Sequence, residues 1–438
     1  MGPISSSRRR SSRWRWALLP VVLLFAAVAL LLGSEFRASR LLRREVAAIR
    51  AAGLPDDDQS LSQDFFNFTS QDQTVAWREV SVAMAHLEHR ASNEYGFPYS
   101  SWDGTDYPGL PLFLKDAAPV IARIDRLSQD VKPTWQPVAF SGLSTLLPDV
   151  HASRQIHRLL HVEFNHAVDT RDSKRALRAL QLDAATSEAY DWQLVRVTDQ
   201  MNMGTHVARH DRIRRSLALE LWNEEHLASL SVIVGEQRDI THRWRRILAN
   251  ERAMYAAHLS AHSGNLFVPV LTGWDSKNQN IVLPASIRLA ALRQMNGVIG
   301  VAEQGYVGLK HRIQFAAEQA VWPMPYRVVR KWVGGPQDFN RLTSSLTAGV
   351  EQYAAWFMTF EDSRRLTRTA IAVKQYQLRN KKWASNLSDL QTVGLPVQEG
   401  KMLNGHAFDY RIESNQSQAV LRTGGEVAES QLSVVTIR

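Results

Sequence analysis

The sequence contains no cysteine among its 438 residues. This absence excludes disulfides, thiol nucleophiles, iron–sulfur clusters and thiolate metal sites. It is compatible with an oxidising compartment, where a stray thiol is a liability, and equally with the cytosol.

Recognisable catalytic motifs are also absent. The chain has no Gly-x-Ser-x-Gly elbow, no phosphate-binding loop and no Gly-x-Gly-x-x-Gly fingerprint. The adjacent acids Glu224 and Glu225 point to different sides of a helix and cannot act as a catalytic pair, and the same holds for Glu361 and Asp362. We therefore assign no catalytic, cofactor-binding or metal-binding residue from the sequence, and we expect no cofactor.

A third absence is that of charge between residues 17 and 33. A bilayer core needs roughly 20 apolar residues of helix, with a lower limit of about 17. Trp14, Trp16 and Phe36 extend the run at both ends, and Trp rings suit the headgroup level. A buried globular helix rarely lacks a polar face over five turns. The sequence therefore predicts a transmembrane helix over residues 17–36.

A secretory signal peptide is the main alternative to an anchor, because a basic start and an apolar run fit both. The end of the run, residues 31–33, is a poor match to a small-x-small cleavage site. The pair Arg8 and Arg9 is not continued as in a twin-arginine signal. We favour an uncleaved, single-pass anchor.

The orientation of the anchor depends on its basic flanks. Five arginines precede the span and five follow it. The rule that places basic residues in the cytoplasm therefore favours neither orientation clearly. The free amino terminus favours a cytoplasmic N-terminus. We expect a protein of the inner (cytoplasmic) membrane with an extracytoplasmic body.

The basic charge of the chain is concentrated near the anchor. Residues 1–50 hold ten Arg and two Glu, a net charge of +8 out of the total of +9, so the rest is close to neutral at +1. This charge can meet anionic lipid headgroups. Too little remains for a surface that follows nucleic-acid phosphates. The expected partners are the lipid bilayer and an unknown protein or envelope component, and no nucleic acid.

Hydrophobic periodicity predicts a mainly α fold with helical hairpins, because apolar residues recur at three- and four-residue spacing between short polar breaks. The predicted helices cover residues 75–90, 116–129, 152–168, 173–185, 189–209, 213–222, 224–234, 240–259, 285–295, 314–321 and 339–379. Asp172 or Ser173 is the predicted N-cap of the fourth of these helices. Loops are predicted at residues 95–114 and 263–284, where Gly and Pro concentrate.

The predicted organisation has five parts. They are a basic tail (1–16), a transmembrane helix (17–36), a juxtamembrane helix with a polar linker (37–62), an α-helical body (63–338), and a long helix with a small α+β module (339–438). In the last part, residues 408–412 and 419–422 alternate like the strands of a β-hairpin, and residues 434–437 suit a third strand.

The loop over residues 95–114 combines six aromatic residues with Asp103 and Asp106. Long loops of this kind are often functional. One interpretation is a platform on which an envelope hydrolase stacks a glycan. The interpretation that we favour is that the aromatic rings attach the loop to the helical body.

Histidines recur at one-turn spacing, which allows two side chains to hold a metal from one helix face. The pairs are His157/His161, His206/His210 and His258/His262. One Glu-x-x-His element occurs, at Glu163 and His166, whereas a di-iron site of the ferritin type needs two such elements. We expect packed or solvated histidines rather than metal ligands.

The carboxyl end carries a short series of motifs. A helix at residues 369–380 bears Tyr376 near its end and is followed by Trp383 and a turn at residues 387–390. Gly394 and a second Gly-containing stretch then lead into the predicted hairpin. Over about 60 of the 438 residues this order resembles the C-terminal half of a type II secretion pseudopilin. The prepilin cleavage motif and the acidic calcium-binding cluster of that family are missing.

A further resemblance covers most of the chain. A basic N-terminus and one span precede the stretch Ala-Ala-Ile-Arg-Ala-Ala-Gly-Leu-Pro at residues 47–55, and a helical middle follows at residues 154–181. In this order, closed by the pilin-like tail, the chain resembles a group of uncharacterised single-pass membrane proteins abundant in planctomycete bacteria. The resemblance implies an architecture and no chemistry.

Overall fold

A computed structural model describes residues 11–96, 107–134, 140, 147–191, 195–235, 240–261, 285–302, 337–413, 417–423 and 434–438. Its helices are α1 (Ser11–Ala51), α2 (Asp58–Phe68), α3 (Gln71–Asn93), α4 (Leu110–Leu127), α5 (Pro148–Asp169), α6 (Ser173–Tyr190), α7 (Arg196–Ser216), α8 (Glu224–Val234), α9 (Ile240–Ala261), α10 (Ala285–Ala302) and α11 (Gln337–Asn380). Two 3₁₀ turns, Leu387–Val393 and Val397–Gly400, precede the strands β1 (Asp409–Ile412), β2 (Ala419–Arg422) and β3 (Val434–Ile437). The predicted mainly α fold with a small C-terminal β module is confirmed.

The N-terminal helix α1 is continuous over 41 residues. It begins at Ser11, so Pro20 lies in its third turn. Proline is tolerated in membrane helices more readily than in soluble ones. The helix ends at Ala51, and Gly53 follows with φ = +67°, a backbone conformation that glycine adopts without strain.

The polar linker predicted at the end of the juxtamembrane part (37–62) is wrong over residues 58–62, because α2 begins at Asp58. The Asp57 side chain accepts a hydrogen bond from the Ser60 backbone N–H at 2.8 Å, and the Ser60 hydroxyl oxygen accepts one from the Asp57 backbone N–H at 3.0 Å. This reciprocal cap starts a helix in a sequence that contains few apolar residues. Phe65 and Leu61 then bury one side of α2.

Four groups of buried side chains form the core. One lies among α3, α4, α5 and α6; a second joins α5 to α8 with α11 and the sheet; a third lies among α7, α9, α10 and α11; and a small fourth group attaches α2 to α9. The helix α7 therefore lies between two of the apolar layers. The predicted hairpin of α5 and α6 is confirmed, with Asp172 as the N-cap of α6.

Two other predicted boundaries are wrong. We expected helices at residues 189–209 and 213–222, but α6 continues to Tyr190, α7 runs from Arg196 to Ser216, and turns follow α7. The apolar pattern beyond Ser216 comes from Leu217 and Trp222. Both side chains are buried, although they follow the end of α7. The expected loop and helix at residues 263–284 and 314–321 lie outside the described residues.

The C-terminal module packs on the second half of α11. The sheet is an antiparallel meander with the order β1-β2-β3. In the β2–β3 register, Ala419 faces Ile437 and Leu421 faces Val435, and all four side chains are buried. They join the same apolar group as Ile371 of α11. The predicted hairpin and its third strand are confirmed.

Candidate functional site

The outer part of α1 is exposed in the part of the chain that the structure describes. Within residues 18–51, the most apolar window of 18 residues has a mean hydropathy of 2.3, and none of that window is buried. The large side chains of this part are exposed, as for Phe25 at 70% and Leu30 at 75%. By length and composition this helix is able to cross a membrane.

The inner part of α1 belongs to the body. Ala38 and Ile49 are buried, at 7% and 6% exposure, and α1 packs along α10. Glu45 accepts a hydrogen bond from Arg293 of α10 at 3.2 Å. Arg50 forms an ion pair with Asp56 at 2.8 Å beyond the helix end. The apolar segment therefore continues without a break into a helix that is fixed to the body.

The centre of the body contains a closed group of charged side chains on α5, α6 and α7. Asp183 accepts from Arg209 Nε at 2.5 Å and lies 2.7 Å from His157 Nδ1. Arg209 also donates to the Asp183 backbone carbonyl at 2.9 Å and to the Ser187 hydroxyl. Asp183 and Arg209 are each only 1% exposed. We call these residues with Arg212 the Asp183 cluster.

Histidine protonation near this cluster is set by burial and by its arginines. Burial lowers the pKa of His157 and outweighs the opposing effect of Asp183, and Arg209 and Arg212 add smaller downward effects. Burial and Arg212 lower the pKa of His161 to about 4. Both imidazoles are neutral at pH 7. A neutral His157 donates a hydrogen bond from Nδ1 to Asp183, whose carboxylate already forms an ion pair with Arg209.

Two further charge networks connect distant parts of the body. Arg243 of α9 binds Asp191 at 2.9 Å and also Asp199 of α7, which accepts a hydrogen bond from the Tyr353 hydroxyl of α11. Burial lowers the pKa of Arg243, but Asp199 and Asp191 outweigh it, so the net shift is upward. In the other network, Arg364 of α11 lies 2.8 Å from Glu361 and from Glu399 of the second 3₁₀ turn.

These networks are closed to solvent, which decides their chemistry. Asp183, Asp199 and Glu361 are each 1% exposed, and every one of these carboxylates is neutralised by an arginine. A substrate could not reach them without disruption of the core. Removal of one partner from a buried ion pair is strongly destabilising, whereas the intact pair contributes little net stability. The networks therefore hold helices in one arrangement and do not form an active site.

A surface groove of about 300 Å³ lies between α4, α5 and α6. Its apolar wall comes from α4, including Leu114 and Ile121. Its charged groups are already paired: Arg175 binds Glu163 at 2.5 and 2.8 Å, and Arg178 binds Asp125 of α4. The groove is a concave surface whose charged rim residues are already paired. The residues that line it include no nucleophile with an adjacent base.

The base of the long loop is closed by packing. The Tyr95 ring meets Phe113 edge to face at 6.4 Å, and its hydroxyl donates to Asp116. Arg90 Nη2 lies 2.6 Å from both the Tyr95 hydroxyl and Asp116. Gly109 is required here, because a Cβ would clash with the Tyr95 carbonyl, whose carbon would lie 3.0 Å away.

The loop is shorter than the sequence predicted. The helix α4 starts at Leu110, and the first of its two prolines, Pro111, lies in the first helical turn, where a missing N–H costs nothing. Tyr95 and Phe113 pack as the body-attachment interpretation expects. Asp103 and Asp106, on which the hydrolase interpretation depends, lie outside the described residues.

The histidine pairs have different surroundings. The His206 and His210 rings are 6.4 Å apart and both lie against Phe360. In the Glu-x-x-His element, both oxygens of Glu163 accept hydrogen bonds from Arg175. Within the described ranges, no group of three or more His, Asp or Glu is placed to hold a metal. The side chains of His258 and His262 are outside the described part.

The sequence interpretation missed the role of α7. This helix carries charged or polar residues on every face, which usually indicates a solvated helix. In the structure Asp199, Arg209 and Arg214 are all buried, since their partners come from α6, α9 and α11. One signal could have indicated the burial of α7. This helix has no apolar stripe, although it lies in the chain among helices that each have one.

The comparisons with known proteins add no family to this picture. No family model matches the chain, and neither a curated protein nor a solved structure is detectably similar to it.

Proposed function

We propose that the chain is a membrane-anchored structural or interaction protein. In this proposal α1 spans the inner membrane once, and the helical body lies on the extracytoplasmic side. There it binds a protein or another component of the cell envelope. The pilin-like cap is part of the surface presented to that partner.

The observation that carries the proposal is the continuity of α1. A globular core helix would be buried, whereas the apolar window of α1 is not. After cleavage of a signal peptide, the mature chain would lose the segment that precedes the body. In this structure, Ala38 lies within two turns of the end of the span and already packs on the body. This arrangement favours an anchor that holds the body close to the membrane.

The interior of the body supports a binding role over turnover. In the described residues the carboxylates of the body core are paired with arginines and closed to solvent. Such networks fix the relative positions of α6, α7, α9 and α11. A surface presented by fixed helices loses little entropy when a partner binds.

The topology is tested by single-cysteine labelling, since the natural chain is already free of cysteine. One variant places cysteine in the basic tail (Ser5→Cys), and the other places it on α8 (Val232→Cys), where the native side chain is 80% exposed. A membrane-impermeant maleimide is added to cells with a permeabilised outer membrane. We expect labelling of Val232→Cys before lysis and of Ser5→Cys only after lysis. The reverse pattern would contradict an extracytoplasmic body, and the unmodified chain is the blank.

The hydrolase alternative is tested at the loop carboxylates. The double variant Asp103→Asn with Asp106→Asn keeps the size of both side chains. A binding protein is expected to retain its ability to restore the phenotype of a deletion strain. Loss of complementation by a variant that unfolds at the wild-type temperature would favour an enzyme.

A further inference from the structure

The segment of α1 that follows the span has two unlike faces. A helix turns about 100° per residue, so positions separated by three, four, seven or eleven residues lie on one side. Ala38, Glu45 and Ile49 share such a side, and it faces the body. Most of the other side is exposed.

That other side carries four arginines. Arg37, Arg40, Arg43 and Arg44 are all exposed, and Arg40 lies three or four residues from each of the other three. We call them the arginine stripe. Among the described residues, the ion pairs of this segment use Glu45 and Arg50 and leave the charge of the stripe unneutralised.

The stripe is costly for an isolated helix. Like charges three or four residues apart repel each other, and the stripe contains three such pairs: 37 with 40, 40 with 43, and 40 with 44. The body does not offset this repulsion, because it packs on the opposite side of α1. An external anion in contact with the exposed side would offset it.

The position of the stripe identifies that anion. With a rise of 1.5 Å per residue, Arg37 lies about 6 Å beyond Gly33 along the helix, Arg40 about 10 Å and Arg44 about 16 Å. The headgroup layer is roughly 5–8 Å thick, and the Debye length at physiological salt is about 8 Å. Arg37 therefore falls within the headgroups. The other three fall within reach of their field, especially when α1 tilts.

We propose that the arginine stripe binds anionic phospholipid headgroups at the membrane surface from which α1 emerges. Guanidinium groups suit this role because they donate two parallel hydrogen bonds to a phosphate. Binding draws the exposed side of α1 towards the lipid and holds the body on the far side of the helix. The inference rests on the proposed anchoring of α1 and adds the lipid class that the anchor selects.

The test compares two variants with equal charge change. The first replaces all four stripe arginines by glutamine: Arg37→Gln, Arg40→Gln, Arg43→Gln and Arg44→Gln. The matched control replaces four exposed basic residues far from α1: Arg171→Gln, Lys174→Gln, Lys381→Gln and Lys382→Gln. Each full-length chain is extracted from membranes in neutral detergent. Phosphatidylglycerol or phosphatidylcholine is then titrated in, and bound lipid is counted by native mass spectrometry.

We expect the wild type and the control to prefer phosphatidylglycerol, and we expect the stripe variant to lose at least about tenfold of this preference. Equal preference in wild type and stripe variant would overturn the inference, as would an equal loss in the control. A wild type that is never recovered with membranes would instead overturn the anchoring proposal itself. If the fourfold variant fails to fold, the single variant Arg40→Glu serves in its place, because Arg40 takes part in all three repulsive pairs.

Discussion

At the residue scale, Asp183 is the carboxylate on which the packing of α5, α6 and α7 depends. It is shared by Arg209, by His157 and, at 4.0 Å, by Arg212. Two buried arginines beside one carboxylate leave the cluster with excess positive charge. Burial lowers the pKa of Arg212, and the neighbouring charge of Arg209 adds to this downward shift.

The first prediction concerns this carboxylate. We expect Asp183→Asn to destabilise the fold by about 3–5 kcal/mol, because Arg209 would remain buried without a counter-charge. This corresponds to a fall in Tm on the order of 10 °C. The readout is thermal unfolding of the full chain in detergent, followed by tryptophan fluorescence. Asp172→Asn is the control on the same helix, since Asn caps a helix as well as Asp does. Similar effects of both variants would contradict the account.

The second prediction concerns pH. The folded-state pKa of His161 is about 4, below the ordinary value of 6.5, so the unfolded chain binds its proton first. The stabilisation by a neutral His161 is complete above pH 6.5 and is lost as the pH falls from 6.5 towards 4. The free energy of unfolding decreases by roughly 3 kcal/mol at most over this window. We expect Tm to fall across this window and His161→Gln to flatten that part of the profile. An unchanged profile in the variant would show that His161 is solvated.

At the element scale, the helices that could be predicted from sequence are those with a local apolar period. The helix α8 was predicted with the observed bounds, Glu224–Val234, because Asn223 caps it and Gly235 ends it at φ = +77°. The helix α2 was missed because its start depends on a cap rather than on apolar residues. Local pattern thus predicts elements whose stabilisation is local.

The charge networks could not be predicted in the same way. Asp183 and Arg209 are 26 residues apart, and Asp199 and Tyr353 are 154 residues apart. No periodicity links such partners, because they meet only after helices from different layers pack together. A local pattern alone would place a polar helix such as α7 at the surface, although the structure buries it.

The third prediction concerns the loop between α3 and α4. We expect Gly109→Ala to destabilise the protein by about 1–3 kcal/mol, since its Cβ would push against the Tyr95 carbonyl and open the loop base. Limited proteolysis should then cut between these helices faster than in wild type. Gly204→Ala is the control, because a Cβ at this position of α7 meets nothing within 4 Å. It should be neutral or stabilising by up to about 1 kcal/mol. An unchanged cleavage rate in Gly109→Ala would contradict a closed base.

At the scale of the whole molecule, the charge is unevenly distributed. The first 50 residues hold a net charge of +8, while the much larger remainder holds +1. In the proposed function, the basic end meets the lipid surface and the nearly neutral body meets a partner outside the membrane. The body is held together without disulfides by apolar layers and buried ion pairs. The apolar segment is connected to the body by a helix and not by a flexible linker, because Ala38 and Ile49 of α1 pack on the body.

The fourth prediction concerns the anchor, and it uses two arginines at the middle of the span. Leu24→Arg with Phe25→Arg should prevent stable insertion, because each charge costs about 2.5–3.5 kcal/mol at the centre of a membrane helix. The control, Leu24→Val with Phe25→Leu, keeps the span apolar and should behave as wild type.

The most direct measurement is alkaline carbonate extraction of membranes that contain the full-length chain, with its amino end verified by mass spectrometry. The account predicts that the wild type and the apolar control remain in the membrane pellet and float with lipid, whereas the double-arginine variant is released. Recovery of the intact wild type in the carbonate supernatant would contradict a membrane-spanning α1.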